Sequence, residues 1–215
     1  MAEQTGRPHR PAPYADLTAL IDAAGGSAPE SRAEIASATA AVLVRAGRER
    51  DADDARFVEL ADRIGLDTLA QLWQDSAPVS LPGALWTLYL LRQWCRSDAA
   101  EVGRLWRAGE PLAAADAVVA GLADYVNELA VARVADDVLA GAYRGDLAVA
   151  LERAAAFFRV VAAGRRELAE AGEIGASECV ASGRSASECE LATRNERAAA
   201  DLAAAARLWR AGSLH

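Results

Sequence analysis

The chain has 215 residues, of which 53% are hydrophobic, and a formal net charge of −8 at pH 7. This length suffices for one compact domain with its own core. The acidic balance argues against non-specific nucleic-acid binding, which requires basic groups on the phosphates. All 23 Lys or Arg positions are Arg, which codon bias in a GC-rich genome explains better than selection for bidentate anion contacts.

The first 14 residues contain three Pro and almost nothing to bury, so we predict a disordered tail over 1–14. This tail lacks the apolar run of a secretory signal. No stretch of about 18 apolar residues occurs in the sequence, so no membrane span is predicted. We therefore expect a cytoplasmic protein without a membrane partner.

Four helices are predicted between residues 15 and 79. The first lies within 16–25 and ends at a Gly-Gly pair. The second follows the S-x-x-E capping box of Ser27 and Glu30 and ends near residue 47. The third lies within 51–65 and the fourth within 67–77, each with apolar residues at helical spacing.

The central element is predicted over 80–96, S-L-P-G-A-L-W-T-L-Y-L-L-R-Q-W-C-R. Ser80 is a suitable N-cap, and Pro82 fits the first turn, where a missing N–H costs nothing. The first half of the segment is apolar on every side, so we expect other helices to surround it.

One arc of this helix is a candidate interaction surface, because Trp, Tyr and Arg are the residues that binding hot spots favour. The alternative is that the N-terminal helices cover the arc and leave only the Arg head groups in water. The arc consists of Leu85, Trp86, Tyr89, Arg92 and Arg96.

Ser97 is predicted to cap a further helix, and another opens at Pro111. That helix either runs on past Asp124 or breaks there, with Asp124 or Asn127 capping a separate one. A long helix is predicted after the Gly145-Asp146 pair. No strand is predicted, since neither strict alternation nor a β-branched run occurs. The fold class is therefore all-α. We expect a single bundle or orthogonal array around a buried central helix, with a core domain over 15–171.

Residues 172–186 are rich in Gly and Ser and are predicted to form a flexible linker. A loosely docked C-terminal helix follows within 187–215. Because its Ala-rich seam buries little area, it needs a partner surface on its own domain, a second copy or another protein. We expect Leu202 and Trp209 to make that contact. The seam is Leu191, Asn195, Ala198, Leu202, Ala205 and Trp209.

The hexapeptide R-L-W-R-A-G occurs at 104–109 and again at 207–212. Both copies are typical of helix ends, with Arg near the negative pole and Gly as terminator. The alternative is a duplicated docking element.

The three cysteines lack paired spacing, which is typical of reduced cytoplasmic thiols. Cys95 is predicted to be an inert core thiol. Cys179 lies within the predicted linker and Cys189 just after it, and either free thiols or a conditional disulfide fits there.

Catalytic motifs are missing from the sequence. The two histidines, His9 and His215, lie near the ends of the sequence, so no His is placed to serve as a base or ligand in a rigid core. The sequence contains no G-x-S-x-G, G-x-x-x-x-G-K or G-x-G-x-x-G motif. We therefore expect no catalytic residues, no bound metal and no cofactor.

Two stretches carry a resemblance: L-P-G-A-L-W-T-L-Y-L-L-R-Q-W at 81–94 and G-D-L-A-V-A-L-E-R-A-A-A-F-F-R-V-V-A-A-G-R at 145–165. They resemble an uncharacterised family of small helical proteins from actinobacteria, over roughly 81–168. The resemblance implies a helical fold. It implies no activity, because none is established for that family.

The leading functional hypothesis is a non-enzymatic cytoplasmic interaction or adaptor protein that acts through helix faces. The second hypothesis is a small-molecule-binding helical domain, with an Arg for an anionic group and a pocket lined by Trp86, Tyr89, Trp94 and Trp106. The third is a nucleic-acid-associated regulator. The candidate interaction residues of the leading hypothesis are Trp86, Tyr89, Arg92, Arg96, Leu202 and Trp209.

Overall fold

The computed structural model of the protein describes residues 29–48, 66–121, 128–175 and 178–215. Within these ranges every regular element is helical and no strand occurs, which confirms the all-α prediction. The predicted tail over 1–14, the predicted helices within 16–25 and 51–65, and the boundary near Asp124 lie outside the described residues.

Eight α-helices and one short 3₁₀ turn make up the described part of the chain. α3 is surrounded by α1, α2, α4, α6, α7 and α8, whereas α7 packs mainly against α8, α4, α5 and α6. The elements are α1 Pro29–Arg48, α2 Leu66–Trp73, α3 Leu81–Ser97, α4 Ala99–Gly109, the 3₁₀ turn Glu110–Leu112, α5 Ala114–Ala120, α6 Glu128–Arg144, α7 Leu147–Gly175 and α8 Glu178–Arg210.

α3 begins where its capping residues predict. The Ser80 Oγ accepts a hydrogen bond from the Gly83 N–H at 3.2 Å, and Pro82 occupies the first turn. Leu88 and Leu91 are buried in the core cluster. The predicted cap at Ser97 is wrong: Ser97 is the last residue of α3, and α4 follows from Asp98 without a side-chain cap bond.

α4 and α7 approach each other so closely that their backbones touch at two glycines. A Cβ on Gly109 would lie 1.9 Å from the Val160 carbonyl oxygen, and a Cβ on Gly164 would lie 1.9 Å from the Leu105 carbonyl oxygen. Side-chain atoms do not fit at either position. This contact fixes α4 on α7, and the 3₁₀ turn and α5 follow directly from it.

The prediction of a flexible linker over 172–186 is wrong, because the described residues of this stretch are helical. α7 extends to Gly175 and α8 begins at Glu178, so at most two residues connect the two helices. The Gly and Ser residues of this stretch alternate with Ala, Glu, Cys and Arg, and Gly or Ser in a helix costs only about 0.5–1 kcal/mol each. Tertiary packing of a long hairpin outweighs that cost.

α8 docks on its own domain along α7. The ion pair from Arg165 to Glu188, at 2.6 Å, and the one from Arg166 to Glu196, at 2.5 Å, join the two helices. The predicted seam is partly correct. Leu202 and Ala205 are buried as expected, whereas Leu191 and Ala198 are half-buried and the residue after each of them is buried instead. From residue 187 onward, where the side chains of α8 are described, the buried residues are Ala192, Ala199, Leu202, Ala205 and Ala206.

Among the described helices, none combines the length and the apolar character that a bilayer span requires.

Candidate functional site

The arc of α3 predicted as an interaction surface is largely inside the protein. Tyr89 is 1% and Arg92 3% exposed, and Leu85 is fully buried. Trp86 is half-buried, and only Arg96 is exposed. The alternative that other helices cover the arc therefore describes Leu85, Tyr89 and Arg92, because α2 and α6 pack over its middle.

Tyr89 belongs to a buried polar cluster that joins α1, α2, α3 and α6. Its ring lies 5.9 Å from that of Trp73, and its hydroxyl is 2.7 Å from the hydroxyl of Tyr143. The Trp73 indole N–H donates to the Thr39 hydroxyl at 3.1 Å. Burial raises the pKa of Tyr89 to about 12 and that of Tyr143 well above its usual range. Both phenols stay neutral at physiological pH and serve to satisfy buried polar groups.

The two Arg residues of the arc bind one carboxylate on α6. The Arg92 Nε donates to Asp136 Oδ1 at 2.6 Å, and the Arg96 Nη2 donates to Asp136 Oδ2 at 3.2 Å. Arg92 itself is buried, so neither its head group nor its stem is offered to a partner. These contacts hold α3 on α6.

Cys95 is a core thiol, as predicted. It is fully buried, and burial raises its pKa to about 12, with a smaller contribution from the Asp136 carboxylate. The thiolate required for reactivity does not form near neutral pH. Cys189 is exposed and free. Cys179 and Cys189 lie ten residues apart in α8, or about 15 Å, which is too far for the predicted alternative of a disulfide.

The aromatic pocket of the small-molecule hypothesis is not formed by its four predicted residues. Tyr89 and Trp106 are both fully buried, the first against Trp73 and the second 5.1 Å from the ring of Phe157. The half-buried ring of Trp94 is covered by the Arg165 guanidinium at 5.5 Å. The rings of Tyr89, Trp106 and Trp94 therefore pack against three separate neighbours.

A cleft of about 370 Å³ opens elsewhere, between α1, the start of α3 and the end of α8. The chain after α8 turns back at Gly212, which has a positive φ of 69°, and the Leu81 N–H then donates to the His215 carbonyl at 2.9 Å. We call this the α1–α8 cleft; it is lined by Ser37, Ala41, Val44, Arg45, Leu81, Trp209, Leu214 and His215.

An exposed apolar surface lies on α5 and the preceding 3₁₀ turn. Leu112 is 60%, Val118 81% and Val119 52% exposed, and Ala115 beside them is also exposed. We call these four residues the α5 face. Sequence reasoning missed it, although P-L-A-A-A-D-A-V-V-A-G over 111–121 contains one charged residue and no polar face. A short helix without a polar face was the signal in the sequence that could have indicated an exposed apolar surface.

The opposite side of α5 is fastened to α7. Ala117 and Ala120 are buried, and the Arg159 guanidinium donates to Asp116 at 2.9 Å. Arg153 donates to the Ala120 carbonyl through Nε and Nη2 at 3.3 and 3.2 Å. The two bonds from Arg153 cap the C-terminal end of α5. Together with the Arg159–Asp116 pair they hold the α5 face outward.

Across the residues described, no group of three or more His, Cys, Asp or Glu side chains is arranged to hold a metal ion. No protein-family model, curated protein or solved structure matches the chain. The resemblance of 81–168 to the actinobacterial family therefore gains no support from these comparisons.

Proposed function

We propose that the protein is a non-enzymatic interaction protein that binds a partner protein through the α5 face. The observation that carries this proposal is the exposure of Leu112, Val118 and Val119, three aliphatic side chains within eight residues that are each more than half exposed. Scattered single apolar residues are normal on a protein surface, but a contiguous group is typical of an interaction site.

The α5 face is held in place before any partner arrives. The bonds from Arg153 and Arg159 fasten α5 to α7. Val118 and Val119 are β-branched, so their side chains have few rotamers to lose. Binding therefore loses little conformational entropy, because neither loops nor side chains have to become ordered. A small buried area can then give useful affinity.

The chemistry of the face indicates the partner. It is aliphatic and exposed, and none of its four side chains can form a hydrogen bond, so it fits an apolar groove between helices of another protein. A second copy of the chain is less suited, because each copy carries a net charge of −8 and like charges oppose association. The predicted contact residues Leu202 and Trp209 are used within the chain, since Leu202 is buried against the core and Trp209 packs beside it.

The proposal is tested by capture from extracts of the source cells with the wild-type protein and two variants. Val118→Asp places a charge at the centre of the α5 face. Val42→Asp makes the same change at an exposed valine on α1 (41% exposed) and is the matched control, because α1 packs on α2, α3 and α6 whereas α5 packs on α7.

The captured protein is then purified and titrated against all three forms. We expect Val118→Asp to weaken binding at least tenfold and Val42→Asp to leave it unchanged. Equal binding by the wild type and Val118→Asp would refute the proposal, as would an equal loss in both variants. Sedimentation of the purified protein alone tests the second-copy alternative.

A further inference from the structure

The α1–α8 cleft combines an apolar interior with a cationic rim. Val44, Leu81 and Leu214 form its floor and are buried members of the core, and the half-buried Trp209 forms one wall. Its volume of about 370 Å³ lies within the range of about 300–1,000 Å³ that is typical of sites for small organic ligands.

The α1 side of the cleft is one stripe of a helix. Ser37, Ala41, Val44 and Arg45 are spaced i, i+4, i+7 and i+8, so they share a face and extend over about 12 Å along the axis. The stripe is apolar in the middle and ends in a guanidinium. A ligand that lies along it would meet hydrocarbon first and a cation at one end.

Charge complementarity defines the polar end of the ligand. Within the described part of the chain the Arg45 guanidinium has no ion-pair partner, and none of the side chains lining the cleft is acidic. His215 also lines the cleft. A guanidinium presents a planar fork of N–H groups that matches a carboxylate in a bidentate geometry.

We propose that the α1–α8 cleft binds a small amphiphilic carboxylate, with its hydrocarbon body between α1 and Trp209 and its carboxylate on Arg45. The carboxylate stays at the mouth, where water still reaches it, so its desolvation cost is limited. The body replaces water on Val44, Leu81 and Leu214 with apolar contact. This site is separate from the α5 face, and either proposal can fail without the other.

Decanoate is the probe, titrated calorimetrically into the full chain below its micellar concentration, with decanol as the uncharged control. We expect saturable binding of one decanoate and at least tenfold weaker binding of decanol. Equal affinity for both, or no saturable decanoate binding, would overturn the proposal.

Three variants locate the site. Arg45→Gln should weaken decanoate binding at least tenfold, whereas Arg197→Gln, the same change at an exposed position of α8, should not. Ala41→Phe fills the cleft from an exposed position of α1 and should abolish binding without unfolding the protein. Val118→Asp should bind decanoate normally. Binding that survives both Arg45→Gln and Ala41→Phe would contradict the assignment.

Discussion

At the scale of single residues, the two copies of R-L-W-R-A-G have different roles. In the first copy, Trp106 is fully buried against Phe157, and Gly109 lets α4 touch the α7 backbone. In the second copy, Trp209 forms a wall of the α1–α8 cleft, and Gly212 adopts a left-handed conformation after α8. Both copies end helices, as predicted, but one glycine is required for space and the other for its positive φ.

Gly164→Ala should lower the free energy of unfolding by about 1–3 kcal/mol or more, as overpacking does, because the added methyl has no room between α4 and α7. Urea denaturation measures the change. The matched control is Gly141→Ala in α6, where a Cβ would meet Ala150 at an ordinary 3.9 Å; this change should be neutral or stabilise by up to about 1 kcal/mol. Equal effects of the two substitutions would mean that the backbone contact is absent.

Cys95 links burial to pH dependence. Its pKa rises from 9.0 to about 12 on folding, so the folded state holds the proton more tightly than the unfolded state. Stability from this group is complete below pH 9 and is lost as the pH rises towards 12. We expect the free energy of unfolding to fall across this interval, and to fall less steeply in Cys95→Ala. Identical pH profiles for the two proteins would contradict this explanation.

At the scale of elements, α3 is the helix that the sequence predicts best. Its cap, its Pro in the first turn and its buried leucines all agree with the structure. Leu88→Ala or Leu91→Ala should therefore destabilise the protein by about 2–5 kcal/mol. Leu90→Ala on the same helix, at a position that is 42% exposed, should cost less than about 1 kcal/mol. Losses below 1 kcal/mol at both buried positions would show that α3 is not central.

α8 is the element whose start the sequence predicts worst. Gly and Ser in 172–186 favour a linker locally, and nothing in the local sequence reports that α7 continues into a hairpin with α8. The register of the seam is also non-local: Leu191 and Leu202 are equally apolar, yet only Leu202 faces the core. Ala residues on several sides of the helix leave the rotation of α8 undetermined by sequence alone.

The docking of α8 on its own domain gives a direct comparison. Leu202→Ala should lower the free energy of unfolding by about 2–5 kcal/mol, because the side chain is fully buried in the core cluster. Leu208→Ala, at a position of the same helix that is 36% exposed, should have little effect. If the two variants unfold at the same urea concentration, α8 does not dock in the way described here.

At the scale of the whole molecule, the sequence predicts where helices begin and which leucines are buried, but not which surfaces remain free. Tyr89 and Arg92 have the residue types of a binding hot spot, and the fold uses both to join α3 to α2 and α6. The α5 face has no Trp, Tyr or Arg, and it is exposed because α5 is only seven residues long and packs on one side. The exposure of a side chain depends on how all the helices pack together, and a local sequence pattern does not encode that packing.

Site-specific photocrosslinking in the source cells tests the central proposal most directly. A photoreactive amino acid at position 118 should form a covalent adduct with one partner protein, and the same group at position 42 should not. Introducing Val119→Asp beside the probe should abolish the adduct while leaving the melting temperature unchanged. Absence of any adduct at position 118, or equal adducts at 118 and 42, would contradict the assignment of the α5 face as the interaction surface.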